Sequence, residues 1–388
     1  AFWGSIKAGA IPVPLNTLLS ASVYEAILND SRASILLVSA QLWDTVKPAI
    51  EGNRFLRAVV VIGDAPDGTE SFDDFVRDAE PVETVEAHGD ELAFWLYSSG
   101  STGTPKGVRH IHSSLKATAD TFGDQVMGIS ENDTVFSVAK MFFAYGLGNA
   151  VSFPMAVGAT TVIFGGRPTP EAVLDIMATE TPTIFCGVPT LYAAMVAEMD
   201  ATGPARAPLG VCISAGEALP TDAGTRWERH MNVAILDGVG STEMLHIFLS
   251  NRPGDVVYGT SGVAVPGYDV RLVNEVGDDA GVGEIGELLV NGASAASGYW
   301  NKRDKSRATF EGVWTRTGDK YERRSDGRFV YCGRTDDMFK VSGIWLSPFE
   351  VEQALASHAS VLEAAVVPMR DSDGLEKPKA FEIGRAHV

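Results

Sequence analysis

The chain has 388 residues, of which 45% are hydrophobic and 21% charged, so it is globular and long enough for more than one core. A formal net charge of −19 at pH 7 argues against nucleic acid or an anionic membrane surface as partner. If such a protein binds a polyanion, its few cations must be gathered locally, which gives single lysines and arginines weight.

Phe2–Gly9 reads as the middle of a helix, and Ile35–Ser39 and Ala58–Ile62 read as strands. The apolar strand Leu92–Leu96 leads into Tyr97-Ser-Ser-Gly-Ser-Thr-Gly-Thr-Pro-Lys-Gly-Val108. Hydroxyls at Ser98, Ser99, Ser101 and Thr102, glycines at 100, 103 and 107, and Lys106 suit an oxyanion held by backbone N–H groups, hydroxyls and one cation. A Walker A loop is excluded, because Pro105 precedes the lysine and Gly107 follows it, leaving no hydroxyl placed for magnesium. The bland alternative is a flexible Ser/Gly linker, although linkers rarely separate a buried strand from a helix. Such a helix is expected at Ser113–Val126.

Further strands are expected at Thr134–Ala139, Thr160–Phe164, Thr183–Val188, Val211–Ala215 and Val233–Leu236. Helices are expected at Thr169–Ala178, with Thr169 as N-cap and Pro170 as first helical residue, and at Pro189–Met199 and Pro220–His230. The uncharged stretch Met141–Gly166 is broken by Pro154 and Gly158, so it reads as a buried helix followed by a strand rather than a membrane span. This alternation implies parallel sheets covered by helices, with ligands at the carboxyl ends of strands. Three strand-following loops are the candidates: Ser98–Gly107, Ser214–Glu217 and Asp237–Glu243.

From about Gly259 the pattern changes to short strands, Tyr268–Val273, Glu287–Val290 and Arg328–Tyr331, with Ser325-Asp-Gly327 as a hairpin turn. A boundary is expected at Gly333–Asp337, followed by a capping box, Ser347-Pro-Phe-Glu350, opening a helix through Ser357. Lys377–Phe381 begins a strand whose alternation breaks at Glu382–Val388, a segment read as a non-native tail. Cys186, Cys212 and Cys332 lie far apart in apolar stretches without metal spacing, which points to buried thiols in a reducing cytoplasm.

Ser98–Gly107 closely resembles the phosphate-loop signature of the adenylate-forming superfamily of acyl-CoA synthetases, luciferases and peptide-synthetase adenylation domains. The resemblance implies an α/β adenylate-forming-enzyme fold with two βα-layered subdomains, a small antiparallel β unit and a partial C-terminal α+β lid. The corresponding division is an AMP-binding domain over 1–333, a hinge at 334–337, a partial lid over 338–381 and the tail 382–388, a fragment at both ends.

On this resemblance, ATP or AMP would be held by Ser98, Ser99, Gly100, Ser101, Thr102, Gly103 and Lys106, with further contacts from other loops. Val239-Gly-Ser-Thr-Glu243 matches the superfamily's Y-G-x-T-E segment, with Val239 where an aromatic residue usually stacks on adenine. Asp237 and Gly238 would then assist at adenine, Thr242 would meet the α-phosphate, and Glu243 would hold Mg2+. Ser214-Ala-Gly-Glu217 resembles the adenine-facing segment, which places Gly216 and Glu217 there, although Gly-Glu after a strand is common. Asp319 of Thr317-Gly-Asp319 and Arg334 would clasp the ribose. A lone T-G-D is a turn, and here its position 76 residues after Glu243 and 15 before Arg334 carries it. Asp336 would be the hinge of the lid, with a turn cap almost as plausible. Lys340 and Gly343 would line the CoA channel.

Met141-Phe-Phe-Ala-Tyr-Gly146 and Gly240–Ile247 closely resemble the benzoate- and hydroxybenzoate-CoA ligase subfamily. Phe143, Ala144, Tyr145, Gly146, Gly240, His246 and Ile247 would form a flat slot for an aromatic ring. Taken alone, 141–149 is a helix start packed into the core, and a lone histidine such as His246 is more often a satisfied core residue. Lys106, Thr242 and Glu243 would be the catalytic groups, and ATP, Mg2+, CoA and an aromatic acid the expected ligands, with a homodimer allowed. The superfamily's lid lysine has no match among the 52 residues after Asp336, so the chain is expected to be a poor catalyst. An adenylation module that loads a carrier protein, or an inactive nucleotide-binding protein, are the rivals.

Overall fold

The computed structural model describes residues 1–77, 79–98, 105–341, 344–356, 358, 360–370 and 376–384. Ser99, Gly100, Ser101, Thr102, Gly103 and Gly343 therefore lie outside the described residues, as do Ser357 and the last four residues of the expected tail.

Near the N-terminus, β1 (Ile35–Ser39), β2 (Ala58–Ile62) and β3 (Glu70–Ser71) form a small parallel sheet. One face packs on Tyr24, Leu28, Val46 and Ala49, while Ile35, Leu37 and Ile62 stay exposed. Next come β4 (Leu92–Ser98) and β5 (Lys106–Ile111), an antiparallel pair in which Ser98 faces Lys106. The expected phosphate loop is therefore flanked by two paired antiparallel strands, and a strand rather than a helix follows it. The expected helix starts at His112, runs to Thr118 and continues as a π-helix over Ala119–Met127.

The central sheet is seven-stranded: β6 (Thr134–Ser137), β7 (Thr160–Val162), β8 (Ile184–Gly187), β9 (Val211–Ser214), β10 (Ile235–Gly240), β11 (Ile247–Ser250) and β12 (Val263–Ala264). They run in the order β12-β11-β10-β9-β8-β6-β7. The strands from β7 to β10 are parallel, and β11 and β12 add antiparallel at one edge. β8 is buried at every residue because both faces are covered, which is why its sequence is an unbroken apolar run. On one face Phe185, Tyr192 and Trp227 interlock with the helices Pro189–Thr202 and Thr221–Met231. On the other, Phe122, Phe153 and Phe248 meet residues of the antiparallel unit such as Leu288 and Tyr321. The helix Pro170–Glu180 starts as expected, the Thr169 hydroxyl accepting from Ala172 N at 3.3 Å.

The antiparallel unit comprises β13 (Tyr268–Val273), β14 (Ile285–Gly292), β16 (Phe310–Glu311), β17 (Trp314–Arg323) and β18 (Phe329–Arg334). The two-residue strand β15 (Gly298–Tyr299) pairs instead with β5. After β18 come the hairpin β19 (Phe339–Val341) and β20 (Ile344–Leu346), the helix Pro348–Ala356, and the pair β21 (Val361–Arg370) and β22 (Glu376–Gly384). Glu382–Gly384 continues the β21–β22 ladder, so the first three residues of the expected tail extend a strand. The Ser347 hydroxyl donates to the Cys332 carbonyl and ties this helix to β18. All three cysteines are buried, and none forms a disulfide among the described residues. Among the described residues, no helix is long and apolar enough to cross a membrane.

Candidate active site

Lys106 opens β5 directly after the phosphate loop, and its ammonium stands 3.5 Å from Glu243 Oε1. Burial pulls the lysine pKa down, and the Glu243 carboxylate pulls it back up. Ser98 closes β4 opposite Lys106, and its hydroxyl is buried with no partner among the described residues. Tyr97 points elsewhere, because its hydroxyl donates to Asp30 Oδ2 at 2.7 Å.

β10 runs through Asp237 to Gly240, so these residues form a strand end rather than the small turn expected from sequence. Gly240 lets β11 approach closely: a Cβ there would lie 2.5 Å from the His246 carbonyl oxygen. The reversal falls at 241–246, where the Ser241 hydroxyl accepts from Met244 N at 3.1 Å. Within it Leu245 adopts a left-handed φ of 66°, a strained conformation for a bulky residue, and is buried against Phe94, Leu96 and Leu147. This pivot sends Thr242 and Glu243 toward Lys106 while His246 and Ile247 enter the core.

A cavity of about 740 Å³ joins the two ends of the expected site. Ala144, Tyr145, His246 and Ile247 line one part, and Gly216, Gly240 and Thr242 line another. Phe143 also lines the cavity but is 51% exposed, which places it toward the mouth. Ser98, Lys106, Asp237, Gly238, Glu243, Asp319 and Arg334 do not line this cavity, and neither do Gly146 and Glu217. Gly146 is buried, and a Cβ there would sit 2.2 Å from the Lys140 carbonyl oxygen, so its smallness serves backbone packing. Glu217 is exposed on the turn after β9. The Tyr145 hydroxyl donates toward the carbonyls of Gly187 and Ile213, at 3.1 and 3.2 Å, and pins the slot to β8 and β9.

His246 lies among Phe122, Phe153 and Tyr145, with ring centroids 4.9, 4.6 and 5.7 Å away. Its Nε2 is 3.2 Å from Asn149 Oδ1, and burial drives its pKa down to about 3, so the ring is neutral. Asp237 lies in β10 beneath the expected adenine site and accepts weakly from Leu219 N at 3.4 Å. Burial raises its carboxyl to about 7. Arg334 at the end of β18 pairs with Asp319 of β17 at 2.9 Å, placing the two expected ribose contacts together. Asp336 sits in the turn that follows β18, and Lys340 lies in the β19 strand beyond it.

Two residues escape the sequence reading. Tyr299 donates from its hydroxyl to Glu243 Oε1 at 2.8 Å, with its ring centroid 4.8 Å from the Lys106 ammonium. His110 on β5 is wholly buried, stacks on Phe94 at 5.2 Å and lies 2.8 Å from the Thr242 carbonyl oxygen through Nε2. Nothing in the sequence signals His110, because Lys106–Ile111 (KGVRHI) carries no apolar strand pattern.

Burial drives the His110 pKa down to about 4, below its ordinary 6.5. The unfolded chain therefore takes up the proton first as the pH falls, and stability is lost between pH 6.5 and 4. At pH 5 this one group is expected to cost about 2 kcal/mol relative to neutral pH. Denaturant unfolding at pH 7 and pH 5 checks it: His110→Gln should lose about 2 kcal/mol less than the parent on acidification. Equal losses would show that His110 is not held neutral.

The chain as a whole matches known proteins. The model of the AMP-binding enzyme family matches residues 1–300. The chain is 52% identical over 386 residues to the 4-hydroxybenzoate-CoA/benzoate-CoA ligase of Rhodopseudomonas palustris, covering 98% of this chain and 71% of the relative. It is also 52% identical over 384 residues to the benzoate-CoA ligase of Thauera aromatica, covering 98% and 72%. The crystal structure of a benzoate CoA ligase from Burkholderia xenovorans superposes with a TM-score of 0.91 at 45% identity, covering all of this chain and 76% of that one. On these matches, the chain belongs to the AMP-binding enzyme family.

Proposed function

We propose that the protein ligates CoA to a benzoate-type aromatic acid at the expense of ATP, through an acyl-adenylate. The observation that carries this reading is the single cavity joining an aromatic-walled slot at Tyr145, His246 and Ile247 to Thr242, beside Lys106 and Glu243. An apolar ring fits the slot, and its carboxylate then points toward Thr242 and the position of an α-phosphate. The relatives, of whose length the chain covers 71% and 72%, are named as benzoate and hydroxybenzoate CoA ligases and support the same substrate class.

The residues work by position and charge rather than by covalent catalysis. Lys106 and the hydroxyl loop neutralise the terminal phosphates, and Thr242 meets the α-phosphate that the carboxylate attacks. Asp319 and Arg334 fix the ribose, Gly216 and Asp237 border adenine, and Asp336 serves as the hinge for the thioester-forming half-reaction. Lys340 and Gly343 border the pantetheine path.

Magnesium fits the residues present. Glu243 and the Thr242 hydroxyl are hard oxygen donors, and no group of three His, Cys, Asp or Glu side chains stands together among the described residues. Such a sparse donor set suits an ion that takes its remaining ligands from phosphates and water. When bound, the ion would neutralise phosphate charge beside Glu243.

The test is pyrophosphate release from ATP with a panel of acids, followed by thioester formation with CoA. Benzoate, 4-hydroxybenzoate or 2-aminobenzoate should support both, and acetate should support neither. Activation of aliphatic acids alone, or transfer to a carrier protein but never to CoA, would sink the proposal.

A further inference from the structure

The segment 296–300 lies between the two chains that carry the phosphate-facing charges. Ala296 N donates to the Glu243 carbonyl at 2.8 Å, Tyr299 pairs with Val108 in β5, and Trp300 N donates to the Gly107 carbonyl at 2.8 Å. The Trp300 indole packs on Trp95 at 4.6 Å and donates to the Asp30 carbonyl at 2.8 Å, which fixes the segment from its far side. Tyr299 is held in this frame at 4% exposure, and Thr309 Oγ1 stands 3.4 Å from its hydroxyl.

Charge-assisted N–H···O contacts close to about 2.7–2.9 Å when nothing intervenes. Lys106 and Glu243 are half-buried and of opposite sign, yet they stand 3.5 Å apart. The Tyr299 hydroxyl occupies the same Oε1 at 2.8 Å, and its ring offers the ammonium a second attraction 4.8 Å away. Both contacts compete with closure of the ion pair. A closed pair would have to be broken before the ammonium could meet phosphate or the carboxylate could meet a dication.

We propose that Tyr299 is a positioning residue that keeps the Lys106–Glu243 pair open for Mg·ATP, its hydroxyl acting on the carboxylate and its ring on the ammonium. The inference rests on the functional reading above and extends it to a side chain that touches neither the ring slot nor the ribose pair.

The experiment is a double-mutant cycle on the intact chain, read as the equilibrium dissociation constant of Mg·ATP by calorimetry, with no turnover required. Tyr299→Phe keeps the ring and the core packing, and thermal unfolding checks that the fold is intact. It should weaken Mg·ATP binding about tenfold, the loss of one hydrogen bond to a charged group. In a Glu243→Ala background the same substitution should cost less than about twofold, because its target is gone. Tyr299→Leu, which also removes the ring from beneath Lys106, should weaken binding beyond Tyr299→Phe. An equal loss in both backgrounds would mark Tyr299 as structural only and overturn the proposal, as would no loss in either. A parent chain that binds no Mg·ATP would instead overturn the functional reading, and this inference with it.

Discussion

Replacing Lys106 by alanine is expected to lower kcat/KM for ATP by roughly 30- to 1000-fold, about 2–4 kcal/mol of transition-state stabilisation. The Lys106 side chain is 13% exposed, so water screens it little, and it is the described cation nearest Glu243. Its removal has a second cost, because Glu243 is left uncompensated in a half-buried position beside the incoming phosphates. Pyrophosphate release as a function of ATP concentration, with Mg·ATP binding measured alongside, is the check. Unchanged kcat/KM would reject the assignment of the loop to phosphate.

The other large effect belongs to the opposite end of the cavity. Ala144 lines the slot at the start of a helix packed beside Tyr145. Ala144→Phe places a ring where the substrate ring would lie, and overpacking of this kind costs about 1–3 kcal/mol, roughly 5- to 150-fold in benzoate activation. ATP binding should stay within about twofold, because Lys106, Asp319 and Arg334 do not touch Ala144. A variant that activates benzoate as fast as the parent would place the aromatic acid elsewhere.

Comparison of sequence and structure shows which kind of information is local. The strands β1, β2, β8 and β9 and the Thr169-Pro170 helix start are legible because period, propensity and capping act within a few residues. Ser98–Gly107 stands out as a candidate phosphate loop because such chemistry needs particular residue types in one short run. By contrast, β5 hides behind a glycine-rich approach and a polar interior, and it exists because Leu92–Ser98 pairs with it. β17 reads WTRTGDKYER, with few apolar residues to mark a strand, and its position is set by β14 and β18 on either side. β15 is only two residues long, so no periodicity can announce it.

The site divides the same way. Lys106, Thr242, Glu243, Asp319 and Arg334 were legible as motif positions, and four of them form two charge pairs, Lys106–Glu243 and Asp319–Arg334. Tyr299 and His110 were not, because each acts through a partner more than 50 residues away, across a contact that only the folded chain creates. Gly146 misled for a related reason. A glycine beside a cavity can be small for the ligand or small for the backbone behind it, and here the Lys140 carbonyl decides the matter.

Leu245 stands between Glu243, the carboxylate proposed to face phosphate, and His246, the ring proposed to face the aromatic acid. Its left-handed backbone is clamped by Phe94, Leu96 and Leu147, so the turn behaves as a stiff joint with independent arms. Substitutions at His246 and Ile247 can reshape the acid slot without tugging on Glu243, two residues before the joint. A lineage can therefore explore new acids one substitution at a time while its adenylation chemistry stays in working order. The same joint makes position 245 a poor place for variation, since a change there moves both arms together.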